Sequence, residues 1–231
     1  MHIGIVGVSA EGAALCYRTI CIEGSDLFGP GAHPEVSMHT LSFARYRRLS
    51  ERQDWRATSE LLLTSANKLA KIGADFLICP ANTPHLAFPY FESRSPLPWL
   101  HIVDVVADEA LRRGFHRIGI LGTRYTMQSS LYSDRLNPRS LEAISPSAEE
   151  CATINQFIYD ELVRGVCTPA ATAYHQQVIA RLKSEGCDAV VLGCTEIPLI
   201  INDANSALPT LDSTRLLAHA ALRKAASSQT P

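Results

Sequence analysis

One apolar strand end occurs twice in this chain, and the repetition dictates the architecture. Phe76-Leu77-Ile78-Cys79-Pro80-Ala81-Asn82-Thr83-Pro84-His85 is answered by Ala189-Val190-Val191-Leu192-Gly193-Cys194-Thr195-Glu196-Ile197-Pro198, 113 residues later. His2-Ile3-Gly4-Ile5-Val6-Gly7 returns as Arg117-Ile118-Gly119-Ile120-Leu121-Gly122 at an offset of 115, and Leu97-Pro98-Trp99-Leu100 returns as Leu208-Pro209-Thr210-Leu211 at 111. Three blocks in one order at slowly drifting offsets mark a duplicated half, far longer than a solenoid repeat. Each block is a short apolar run bounded by Gly or Pro, the pattern of a strand buried on both faces.

The stretches between these strands read as helices. The apolar spacing of Leu61, Leu62, Leu69 and Ile72 places a helix over about Trp55–Lys71, with Gly73 ending it. Further helices are expected at Ala10–Glu23, from Val105 to near Gly114, at Ile154–Arg164, at Thr172–Glu185 and at Thr214–Ala226. Strands are expected at 2–8, 36–42, 75–79, 99–103, 117–122 and 188–193, and the tail 227–231 is expected to fray. Continuous apolar strands alternating with helices make an α/β fold, here two similar parallel-sheet halves related by pseudo-two-fold symmetry. The first half is expected to comprise 1–100 with 208–231, the second 101–207.

Composition narrows the function. A net charge of -2 gives no electrostatic footprint for nucleic acid or an anionic membrane. No apolar run reaches the ~18–20 residues needed to span a bilayer, and the amino terminus enters a strand with no sign of a signal peptide. Seven cysteines, an odd number without a C-x-x-C pair, fit reduced thiols and a cytoplasmic location. No Gly-x-Gly-x-x-Gly or P-loop pattern points to a nucleotide.

In parallel sheets, ligands sit beyond the carboxyl ends of the strands. Both strand breaks lie there, as do Ser9 and the loop from Thr123 to Thr126. Should the halves face one another across a cleft, positions 81 and 194 would meet the two faces of one small ligand, with hydroxyl, amide and backbone N–H groups stabilising charge between them. Asn82, Thr83, Thr123 and Thr126 could cap the following helices or contact the ligand, and the two roles can coexist. Thr195 adjoins Cys194. Cys194 itself is either an inert buried thiol or a reactive one whose pKa a nearby helix start would lower. Glu196 could orient Cys194 or cap the next helix. His85 reads as a loop stabiliser. Pro80 argues against Cys79 standing in for a base at position 81.

These blocks resemble the aspartate/glutamate racemase family, over nearly the whole chain. The resemblance includes His33-Pro34-Glu35-Val36, Asn82-Thr83-Pro84-His85, Gly119-Ile120-Leu121-Gly122-Thr123, Ile158 to Gly165, Leu192-Gly193-Cys194-Thr195-Glu196 and Leu211-Asp212-Ser213-Thr214. It implies a pyridoxal-phosphate-independent racemase or epimerase of aspartate or glutamate, without cofactor or metal. It also implies a homodimer, with the site between two α/β halves. Family members carry one cysteine before Asn-Thr and another before Thr-Glu, as the two acid/base catalysts. By resemblance Cys194 is one catalyst, and the partner position holds Ala81, which can neither donate nor accept a proton. A substrate-carboxylate arginine is implied near Arg47, although the Arg45-Tyr46-Arg47-Arg48 cluster reads equally as a solvated basic face; Arg164 stands where lysine is frequent. Gly7-Val8-Ser9-Ala10-Glu11-Gly12 departs from the family's first loop. A one-cysteine enzyme of the same superfamily, such as an arylmalonate decarboxylase, and a non-catalytic binder of acidic amino acids are the alternative readings.

Overall fold

The computed structural model describes residues 1–227. The elements run β1 (His2–Gly7), α1 (Ala10–Glu23), α2 (Ser25–Phe28), β2 (Glu35–Thr40), α3 (Phe43–Glu51), α4 (Trp55–Lys71), β3 (Phe76–Ile78), β4 (Trp99–Leu100) and α5 (Ile102–Arg112). They continue as β5 (Arg117–Gly122), α6 (Arg124–Gln128), α7 (Ser133–Leu136), β6 (Glu142–Ile144), α8 (Ala148–Asp160), α9 (Pro169–Ser184), β7 (Ala189–Gly193), β8 (Thr210–Asp212) and α10 (Ser213–Ser227). Two four-stranded parallel sheets result, ordered β2-β1-β3-β4 and β6-β5-β7-β8. The central strands β1, β3 and β7 are buried along their whole length, as parallel strands covered by helices on both faces must be.

The duplication is legible in the hydrogen-bond register. Ile3 pairs with Phe76 and Leu77 with Trp99 in the first sheet; Ile118 pairs with Ala189 and Val190 with Thr210 in the second. These pairings map onto one another under the sequence offsets. Side chains follow suit. Asp75 accepts from the His2 backbone N–H at 2.7 Å, and Asp188 accepts from that of Arg117 at 3.1 Å. Ser95 and Ser206 tie the turns before β4 and β8 through Leu97 O and Leu208 O. Gly73 and Gly186, at φ +90 and +88, end α4 and α9 in a left-handed conformation open to glycine.

Several expected boundaries move. The chain divides into one unit of Met1–Val105 with the residues from Thr214 onward, and a second of Val106–Ser213. Residues 208–213, expected with the first half, belong to the second because β8 pairs with β7. The strand expected at 99–103 stops at Leu100, since the backbone N–H groups of Ile102 and Val103 turn to the rings of His85 and His101 and start α5. The helix expected from Ile154 begins at Ala148, where Ser147 and Glu150 form a capping box. The edge strand β6 and the arginine-rich helix α3 go beyond the sequence expectation. Of the tail expected to fray, Ser227 closes α10, and 228–231 lie outside the described residues. Among the described residues no helix is long and apolar enough to cross a membrane.

Candidate active site

Strand order reverses direction between β1 and β3, and again between β5 and β7. At such switch points the carboxyl-end loops diverge and leave a crevice. In the second unit the site is built on a glycine pair. Gly122 and Gly193 are hydrogen-bonding neighbours at the last position of β5 and β7. A Cβ on Gly193 would lie 2.6 Å from Leu121 O and 3.4 Å from Thr126 Cγ2, so only glycine lets the two strand ends and Thr126 close together. Thr123 caps α6 through the Thr126 N–H at 3.4 Å, and their hydroxyl oxygens are 3.4 Å apart. Asn155 Oδ1 accepts from the Arg124 N–H at 3.0 Å, fixing this loop to α8.

Cys194 follows Gly193 directly. Its Sγ–H donates to Glu196 Oε2 at 2.9 Å, and the Thr195 hydroxyl donates to the same oxygen at 2.6 Å. All three side chains are buried. Glu196 does not cap the following short 3-10 turn, Ile197–Leu199. Of the two readings open for this residue, it takes the one that orients the thiol. The expectation of a lowered thiol pKa is corrected. Burial raises the Cys194 pKa first, and the Glu196 carboxylate adds to it by charge and hydrogen bond; backbone N–H groups of Thr195 and Glu196 oppose this less strongly. No α-helix starts at Cys194 to reverse the balance. The resting pair is therefore a neutral thiol beside a carboxylate, a proton donor with a proton acceptor attached.

In the first unit, Ala81 is half-buried against a core that includes Val6, Tyr46 and Cys79. Asn82 is buried and makes no capping bond to the 3-10 helix Thr83–Tyr90; Thr83, half-buried, is that helix's first residue. His85 Nδ1 lies 2.8 Å from Ala81 O, and its Nε2 accepts from the Ile102 N–H at 3.4 Å. Those two bonds consume both ring nitrogens in holding the loop, so His85 is the stabiliser its sequence position suggests. Cys79 is 1% exposed and burial pushes its thiol up to about 12, which leaves it without a base's function. Ser9 caps α1 through the Gly12 N–H at 3.2 Å. Arg47 lies on α3, exposed and paired with Glu51 at 2.9 Å, and Arg164 is exposed at the end of a 3-10 turn. The second unit thus brings Thr123 and Thr126 together on the glycine pair, and Cys194, Thr195 and Glu196 on one carboxylate oxygen. Among the described residues, no three His, Cys, Asp or Glu side chains are arranged to hold a metal ion.

The family model of Asp/Glu/Hydantoin racemase matches residues 5–221. The chain belongs to this family. It is 28% identical over 160 residues to the broad specificity amino-acid racemase RacX of Bacillus subtilis, covering 68% of this chain and 67% of RacX. It is 26% identical over 158 residues to the glutamate racemase of Aquifex aeolicus, covering 66% of this chain and 59% of that enzyme. Among solved structures, a candidate Asp/Glu racemase from Yersinia pestis superposes with a TM-score of 0.88 at 30% identity, covering 97% and 98% of the two chains. PH1733, an aspartate racemase homologue from Pyrococcus horikoshii, superposes at 0.83 and 29% identity, covering 98% and 99%.

Proposed function

We propose that this family member is a cofactor-independent isomerase that moves the α-proton of an acidic amino acid, aspartate or glutamate, and does so with one thiol. The observation that carries the reading is the Cys194–Glu196 pair at the carboxyl end of β7, with Thr195 sharing the acceptor oxygen. For abstraction, the Sγ proton passes to Glu196 Oε2 and the thiolate takes the substrate α-proton. For return, the Cys194 thiol donates to the carbanion and Glu196 gives its proton back to sulfur. Hydroxyls at Thr195, Thr123 and Thr126, with Asn82, Thr83, Ser9 and Arg47 in the first unit, are the proposed substrate contacts. Position 81 holds alanine, so only one face of the α-carbon has an acid/base group. Reaction at the other face is slow or absent.

A second reading draws support from the raised Cys194 pKa. A thiol held protonated is suited to donating to a carbanion that another bond cleavage has made, such as loss of carbon dioxide from a substituted malonate. The two readings separate by experiment. In D₂O, NMR follows α-proton exchange of L- and D-aspartate and L- and D-glutamate, while carbon dioxide release is followed from arylmalonates. The racemase reading expects exchange that Cys194→Ala abolishes. Carbon dioxide release without any exchange replaces it with the decarboxylase reading.

A further inference from the structure

Between α3 and α4, within the first unit, lies a groove of about 340 Å³ lined by Arg45, Arg48, Leu49, Ala57, Glu60 and Leu61. That volume is at the lower end of small-ligand pockets, ~300–1,000 Å³. The surrounding stretch is rich in arginine, but its carboxylates are already engaged. Glu51 holds Arg47 at 2.9 Å. Both oxygens of Glu60 are taken by Arg94, at 2.6 and 3.1 Å. Asp54 caps α4 through the Ala57 N–H at 2.9 Å. Arg45 and Arg48 have no carboxylate partner among the described residues. They stand one helical turn apart on α3 and line the same groove, whose one lining carboxylate, Glu60, is already bridged to Arg94. The whole chain has a net charge of -2, so this is a local accumulation and not a generally basic surface.

We propose that this groove binds a compact organic dianion, with Arg45 and Arg48 each engaging its anionic oxygens. A planar guanidinium offers paired N–H donors matched to carboxylate or phosphate oxygens. Leu49, Ala57 and Leu61 line the same groove, so a short hydrocarbon body has apolar surface to cover, which a bare inorganic ion does not use. Glu60, in the same lining, is paired with Arg94 through both carboxylate oxygens and so does not set a free carboxylate against the dianion. Neither Cys194 nor Arg47 lines the groove, and the proposal stands whether or not the proposed isomerase activity holds.

The test is an NMR titration of the full, isotopically labelled chain with succinate and, separately, with inorganic phosphate. Sodium chloride at matched ionic strength is the reference. The amides of Leu49, Ala57 and Leu61 are expected to shift and saturate. Arg45→Gln and Arg48→Gln should each weaken binding by about tenfold or more, the scale of one lost charge-assisted contact. Arg52→Gln, on the same exposed segment but outside the groove, should leave it unchanged. Saturation by succinate assigns a dicarboxylate; saturation by phosphate alone assigns a phosphate ester. The proposal is overturned if neither saturates, if chloride reproduces the shifts, or if binding survives in the Arg45→Gln/Arg48→Gln double variant.

Discussion

Glu196→Gln is the most informative single change at the site. Both the Cys194 thiol and the Thr195 hydroxyl donate to one oxygen, Oε2, at 2.9 and 2.6 Å. An amide oxygen in the same place can accept both bonds, so the geometry survives while charge and basicity are lost. Bonds to a charged acceptor are worth ~1.5–3 kcal/mol and neutral ones ~0.5–1.5, so the two contacts weaken by roughly 2–3 kcal/mol together. Against this, the fold no longer desolvates a carboxylate that is 3% exposed, and that saving is of similar size. The two effects offset, and unfolding stability should change by no more than about 1 kcal/mol. Catalysis has no such offset. A neutral amide cannot take the Sγ proton, so α-proton exchange should fall by ~10²–10⁴-fold, the usual worth of a positioned general acid or base. The thiol pKa should fall at the same time, because the carboxylate no longer opposes the thiolate. Urea unfolding, deuterium exchange by NMR and the pH dependence of Cys194 alkylation read these three quantities on one sample. Unchanged exchange with an intact fold would refute Glu196 as the proton acceptor.

Three further outcomes are expected. Because burial and the Glu196 carboxylate raise the Cys194 pKa, iodoacetamide at pH 8 should label exposed Cys167 and spare Cys194, whose labelling should rise only above the ordinary value of 9.0; early labelling of Cys194, read by peptide mass spectrometry, contradicts this. Gly193→Ala should cost at least ~1–3 kcal/mol and lower Tm by several degrees, since its Cβ meets the immovable Leu121 carbonyl at 2.6 Å; an unchanged melting curve contradicts the close approach of β5 and β7. Light scattering should find a homodimer at micromolar concentration, and a monomer throughout that range rejects the dimer.

The duplication was readable because strands β1, β3, β5 and β7 are continuous apolar runs, and their register carries the same offsets as the sequence. The fourth matched pair, β2 with β6, is not legible in the sequence. β6 is three residues long at a sheet edge, and Glu142-Ala143-Ile144 has too little periodicity to register as a strand. Helix α3 is masked in the sequence by its arginines, which leave it only a narrow apolar stripe of Phe43, Tyr46 and Leu49. The capping box at Ser147 and Glu150 was a signal in plain sight that would have placed the start of α8. At the site, sequence could mark Cys194 but not its protonation. That depends on the Glu196 carboxylate folding back over two residues onto the sulfur, which spacing leaves open between orienting and capping. For Arg47 the sequence offered a substrate contact or a solvated face, and the structure adds its pairing with Glu51.

The central claim is that one thiol serves one face of the substrate carbon. The direct measurement is the initial rate of α-deuterium incorporation into each enantiomer of aspartate and glutamate, alongside the optical purity of the product, for the unaltered chain and for Ala81→Cys. The account predicts exchange confined mainly to one enantiomer with little inversion, and a rise in racemisation on the order of 10²–10⁴-fold when the second thiol is supplied. Rapid, equal exchange of both enantiomers by the unaltered chain would contradict it, because some other group would then be serving the face where Ala81 stands.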